Sequence, residues 1–163
     1  MNRETILLCT GLLPLKVAEM LADALGTEVH MDGEVPIVRR PVSGEWHDRA
    51  NVGGEVYENY QRDETAEPGE QGIYDFGYDI LYKVSVIGNV PGDFYAFQAE
   101  EARRIFTEIT EQLPFPAVHA QEGGLILSAW NPELGLTDFP PHTGAGPEHR
   151  DLWEPYAHPA ARR

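Results

Sequence analysis

Cysteine is nearly absent from these 163 residues: Cys9 stands alone, so no intramolecular disulfide can form and a reducing, cytoplasmic setting is expected. Long apolar runs are missing too. The run at residues 5–10 falls far short of the roughly 18–20 residues that cross a bilayer, and Glu4, Pro14 and Lys16 spoil the pattern of a secretory leader. Positive charge is scarce, with 12 Lys and Arg against 27 Asp and Glu for a formal charge of −15. Such a chain repels nucleic acid and anionic membranes, so neither is an expected partner. Lysine occurs only as Lys16 and Lys83 and the other ten cations are arginine, a bias common in GC-rich bacterial genomes.

The short motifs that carry chemistry are lacking as well. Gly53-Gly54 and Gly144-Ala145-Gly146 have neither dinucleotide nor P-loop spacing, and Ser43 and Ser128 lack a nucleophile elbow. No catalytic residue and no cofactor are expected. Cys9, inside an apolar strand, reads as a core thiol rather than a nucleophile. His142, His149, Asp151 and His158, with His119 or Asp138, are residue types that ligate zinc or iron, but their spacing matches no metal signature. Solvated histidines are the simpler reading, so no metal site is assigned; a small enzyme or ligand-binding protein built on these residues is the alternative. Trp46, His47, Asp48 and Arg49 form a compact cluster in the loop expected at residues 42–54, which a packed tryptophan with polar neighbours explains as well as a site does.

What is present is a pattern of elements. Residues 5–10 read as a strand buried on both faces. Pro14 then opens a helix whose apolar positions Val17, Met20, Leu21, Ala24 and Leu25 recur at helical spacing, with Gly26 as its stop. Residues 27–31 and 35–40 form a hairpin around Asp32-Gly33, with Pro36 suggesting an edge strand. Another short strand is expected at 55–61. Tyr74, Phe76, Tyr78, Ile80, Tyr82, Val84 and Val86 occupy every second position and predict one long strand. Asp93 begins a second helix with Phe94, Phe97, Ala102, Ile105, Phe106, Ile109 and Leu113 on one stripe and Glu100–Arg104 and Arg104–Glu108 pairs outside. Residues 117–120 and 125–130 read as two more strands.

This order predicts an α+β domain over residues 1–130: an antiparallel or mixed sheet with two helices on one face, a ferredoxin-like variant. Six of the 13 prolines fall in residues 131–163, which predicts an extended, irregular arm wrapped on the domain by Leu134, Leu136, Phe139, Leu152, Trp153 and Tyr156.

The candidate binding residues are Glu55, Tyr57, Glu58, Tyr60, Asp63, Glu64, Glu67, Glu70, Asp75 and Asp79. Against Arg62 alone, the eight carboxylates give a local charge of −7. Acid interleaved with tyrosine can steer and anchor a basic protein; the same run also reads as a solvated loop that keeps the protein soluble. Asp75 and Asp79, on one face of the expected strand, would stand roughly 13 Å apart, too far for a dyad. In size and charge the chain is similar to small acidic immunity and inhibitor proteins that bacteria use against cationic toxins, often nucleases, a likeness that no motif carries. The function expected is occlusion of a basic partner's active site. A mimic of DNA that binds a DNA-processing enzyme is a further reading of the same charge.

Overall fold

The protein is described over residues 3–159 by a computed structural model. Its first strand, β1 (Glu4–Leu8), is buried along its whole length and pairs on both sides, as expected for an unbroken apolar run. Helix α1 (Pro14–Leu25) follows, with Pro14 in its first turn and Gly26 closing it in the left-handed region at φ 69°. The Gly26 and Thr27 amides return to Asp23 and Ala22 carbonyls, satisfying groups that a helix end leaves open.

Strands β2 (Val29–Asp32), β3 (Val35–Pro41), β4 (Ala50–Glu58) and β5 (Ile80–Gly88) form a meander in which each antiparallel neighbour follows in sequence. The β2–β3 turn is Gly33-Glu34, one residue beyond the expected Asp32-Gly33. Strand β3 is not an edge; β2 flanks it. Pro36 is tolerated because pairing with β4 begins only at Ile37↔Glu55, so its missing N–H lies past that ladder's end. Strand β4 starts five residues earlier than the sequence indicated and claims much of the expected loop.

Asp93 caps α2 (Phe94–Gln112), its carboxylate accepting the Ala96 N–H. Of the two ion pairs expected along α2, Glu100–Arg104 forms at 3.5 Å, whereas Glu108 turns to Arg40 of β3. Strands β6 (Ala117–Gln121), β7 (Leu125–Asn131) and β8 (Gly135–Asp138) complete an antiparallel sheet of eight strands in the order β2-β3-β4-β5-β1-β6-β7-β8. A bulge interrupts the β6–β7 register at His119/Ala120.

Two cores lie against this sheet. Ile6 and Leu8 of β1 and Ile80, Tyr82, Val84 and Val86 of β5 pack with Val17, Leu21 and Leu25 of α1 and Ile105, Phe106 and Ile109 of α2. The alternate residues Leu7 and Leu81, with Val118, Ala120, Ile126 and Ala129, pack instead with Ile73, Phe76, Tyr78, Trp153 and Tyr156. The second core therefore has a lid made of loop and tail.

That lid overturns two expectations. The long alternating strand begins at Ile80, not Tyr74, and residues 73–75 form a 3-10 turn. The Asn59 side-chain amide donates to the Tyr74 and Tyr78 carbonyls, Ile73 N–H donates to Ala145 O, and Gly77 takes φ +93°. Side chains that alternate in the sequence thus fill the lid rather than a ladder, and Tyr78 and Ile80 enter different cores. The tail is also partly regular: it adds β8, the four-residue helix α3 (Arg150–Trp153) and flanking 3-10 turns. Its prolines bracket these elements, with Pro132 before β8, Pro140 after it, and Pro147 and Pro155 in first-turn positions where no N–H is needed. Trp153 and Tyr156 are buried anchors, while Leu134, Leu136 and Leu152 remain exposed. The last four residues of the arm expected over 131–163 lie outside the described ones, as do residues 1 and 2.

Candidate functional site

The acidic stretch does not form one surface. Asp79, just before β5, accepts from Thr10 N (2.7 Å), Thr10 Oγ1 (3.1 Å) and Gly11 N (2.9 Å), and so fixes the β1–α1 connection. Asp75 accepts from Asp63 N (2.7 Å) and Gly72 N (2.9 Å). Asp63 receives the Thr65 hydroxyl and amide, which hold its carboxyl below the ordinary range. These three carboxylates organise loops. The separation reckoned for Asp75 and Asp79 along a strand does not apply, because no strand runs between them.

The remaining candidates fall into two groups because neighbouring side chains of β4 and its extension point to opposite sides. Glu58 and Glu64, with Asn59, Arg62, Tyr78, Asp79, Ile80 and Leu12, line an open groove of about 460 Å³. Leu12 belongs to the β1–α1 connection that Asp79 holds, and Leu12, Leu13 and Leu15 are exposed by 37, 73 and 46%. Of these Leu12 lines the groove, while Leu13 is the N-cap residue of α1 and Leu15 lies in its first turn; three exposed leucines so close together are unusual, since apolar side chains at a surface are normally scattered singly. Glu67 and Glu70 sit on an exposed turn closed by Glu70 N–H to Glu67 O.

Glu55, Tyr57 and Tyr60 belong elsewhere. The Tyr57 and Tyr60 rings meet edge to face at 5.9 Å, and Lys83 Nζ stands 5.3 and 5.6 Å from their centroids. The aromatic pair already holds a cation of this chain. Glu55 and Tyr60 line a second cleft of about 370 Å³ with Arg3, Thr5, Arg39, Lys83, Ser85 and Glu122.

The histidines of the alternative reading do not converge. His119 is 1% exposed, with Nε2 3.1 Å from Oε1 of the equally buried Glu4, and the Gln121 amide donates to the same oxygen. His149 Nδ1 accepts the Gly144 N–H, and the His158 ring packs 4.5 Å from Phe76. Among the described residues no group of three or more His, Cys, Asp or Glu is placed to hold a metal. His47 pairs with Asp48 at 2.9 Å and Arg49 lies over Trp46, all at the surface. Ser128 is buried and donates to Asp138 at 2.6 Å, and Ser43 donates to the buried Glu101, so neither is presented as a nucleophile. Burial pushes the Cys9 thiol up to about 11, with the Asp79 charge adding to the effect.

The exposed leucines and the buried Glu4–His119 pair were both missed. Leu12-Leu13-Pro14-Leu15 was visible as an apolar run between Gly11 and Lys16, but it merged with the helix stripe. The partner of His119 could not be read from the sequence because 115 residues separate it from Glu4.

No family model, no curated protein and no solved structure matches the chain. Fold and surface together define an α+β protein with an eight-stranded antiparallel sheet, a groove lined by Glu58, Glu64, Arg62 and Leu12, and a second, mixed-charge cleft at Glu55 and Tyr60. No helix among the described residues is long and apolar enough to cross a membrane.

Proposed function

We propose that this protein is an acidic binding module that neutralises a basic protein, of the toxin or nuclease kind, by covering its active site. The observation that carries the reading is that exposed Leu12 lines the Glu58 and Glu64 groove while Leu13 and Leu15, next to it in sequence, are also left exposed. Fully burying one leucine contributes about 1.5–3 kcal/mol, so three at the centre of an interface supply affinity. The carboxylates around them, within a chain of formal charge −15, contribute association rate and choice of partner. Lysines and arginines that line a nuclease's substrate channel are the complementary surface, and covering them excludes the polyanionic substrate. The buried, unpaired Cys9 suits action in a reducing compartment.

The central strands favour a ferredoxin-like ancestry for this module. β1–α1–β4 and β5–α2–β6 interleave, giving the central order β4-β5-β1-β6, which is the split β-α-β arrangement. Hairpin β2–β3 extends one edge and β7–β8 the other. The shared core of α1 and α2 supports a face carrying both helices.

The test uses the full chain immobilised in lysate of its source cell, with bound protein eluted by rising NaCl and added back to a nuclease assay. A basic protein should be retained and inhibited. Leu13→Asp should abolish retention at every salt concentration, whereas Glu58→Lys with Glu64→Lys should weaken it chiefly at low salt. Retention that survives both variants, or that recovers no basic protein, overturns the proposal.

A further inference from the structure

The lid of loop and tail covers only part of its face of the sheet. Beside it, where Arg39 of β3, Glu55 of β4, Lys83 and Ser85 of β5 and Thr5 of β1 come side by side, the sheet is open and forms the 370 Å³ cleft. Register accounts for the grouping: Thr5 is opposite Lys83, and Glu55 is opposite Ile37. Gly53, opposite both Arg39 and Ser85, contributes no side chain between them. It cannot gain one, because at φ +132° a Cβ would lie 2.0 Å from the Val38 carbonyl oxygen.

Cations are rare in this protein, and several of those elsewhere are taken. Arg40, Arg103, Arg104 and Arg150 each pair with a carboxylate. Arg3, Arg39 and Lys83 share one cleft, and among the described residues none has a carboxylate within 4.0 Å, although Glu55 and Glu122 line the same walls. Glu4, also at the cleft, has its carboxylate engaged by His119 and Gln121. Arg39 moreover keeps its Nε shut from water with no acceptor, a condition that calls for a physical explanation in a folded protein. Opposite charges on a sheet face stabilise it by pairing across strands; three cations without such a partner around a cavity of ligand size suit a guest.

We propose that this cleft binds a small molecule through a single oxyanion, a phosphate or a carboxylate, held by Arg39, Lys83 and Arg3. The Arg39 guanidinium provides the planar fork that oxyanions accept. Lys83, steered over the site by Tyr57 and Tyr60, provides a point charge. Thr5, Ser85, Tyr60 and Gln61 offer hydroxyls and an amide to the uncharged body of the ligand. Glu55 and Glu122 at the walls disfavour extended polyanions, which confines the guest to one local negative group. The inference is independent of the basic-protein reading, whose groove uses other residues.

The test is calorimetric titration of the full chain with inorganic phosphate and, separately, with propionate, against NaCl at equal ionic strength. Saturable binding of at least one, absent for chloride, is expected; which anion binds identifies the source of the oxyanion. Arg39→Gln and Lys83→Gln should each weaken it about 10- to 100-fold, the worth of one charged hydrogen bond. Arg3→Gln, at an exposed position, repeats the test without disturbing the sheet, and Arg62→Gln in the other groove should change nothing. Heats indistinguishable from those of chloride, or an affinity unchanged by Arg39→Gln, Lys83→Gln and Arg3→Gln, overturn the proposal.

Discussion

Trp153→Ala measures whether the tail is part of the fold or an accessory to it. Trp153 is fully buried, packs against Phe76 at 5.7 Å between centroids, and donates its indole N–H to the Gly146 carbonyl at 3.0 Å. Truncation removes the ring from the second core, leaves a cavity under the lid, and orphans the Gly146 oxygen. Large-to-small changes of this kind cost about 3–5 kcal/mol. Taking about 4 kcal/mol, and about 2–4 °C per kcal/mol for a chain of this size, the melting temperature falls by about 8–16 °C. Circular dichroism melts in the far and near ultraviolet are the assay, with Leu152→Ala as the exposed neighbour that should stay within about 0.5 kcal/mol of wild type. Both probes should report one coincident transition, because lid and sheet share a core. A loss below about 1 kcal/mol, or a separate early transition in the near ultraviolet alone, would refute the view that the tail is integral.

Three further outcomes follow from particular contacts. Asp79→Ala removes two amide bonds and one hydroxyl bond to a carboxylate, and should cost about 2–4 kcal/mol in urea unfolding; a loss under about 1 kcal/mol would show that water replaces them. Asp138 is held below the ordinary carboxylate range by the Ser128 hydroxyl and the Arg103 guanidinium. Its depressed folded value means a stabilisation present above the unfolded value and lost as pH falls through the folded one, so Asp138→Asn should lower stability slightly at neutral pH and converge with wild type in acid, flattening the acid limb, its exposure keeping the effect small. With its thiol pushed up to about 11, Cys9 should react with an aromatic disulfide at pH 8 roughly 10²-fold more slowly than a free cysteine, and at the ordinary rate once unfolded; rapid reaction of the native protein would contradict its burial.

Periodicity was most legible where an element is decided by its own apolar pattern. β1, α1, α2, β6 and β7 appear within a few residues of their expected bounds, since a continuous apolar run or a helical stripe has one low-energy way to be buried. It failed at Tyr74–Tyr78 because alternation says only that side chains are apolar at every second position, not that a neighbouring strand is available. There the Asn59 amide and the Ala145 carbonyl take the backbone groups that a ladder would use. The prolines of the tail misled for the complementary reason: proline forbids specific hydrogen bonds, and those of Pro132, Pro140, Pro147 and Pro155 fall between elements or in first turns, where no N–H is needed. For the candidate site, residue type was legible and grouping was not. Asp63, Asp75 and Asp79 look like Glu58 and Glu64 in a charge count, yet only folding shows which carboxylates face backbone amides.

That distinction changes what the charge can do. A stretch of −7 suggests one dense acidic surface, but three of its carboxylates are closed onto amides or hydroxyls and Tyr57 and Tyr60 hold Lys83. What is left at the groove is a pair of glutamates, with Arg62, around exposed Leu12. Charge alone gives weak, salt-sensitive association; affinity that survives physiological salt requires apolar area, and Leu12, Leu13 and Leu15 are among the places where this chain leaves it uncovered. Under the proposed function, a partner selected by this surface would carry an apolar feature flanked by cations, and basicity by itself would be insufficient. On that proposal the net charge would govern which molecules approach, and the leucines which of them stay.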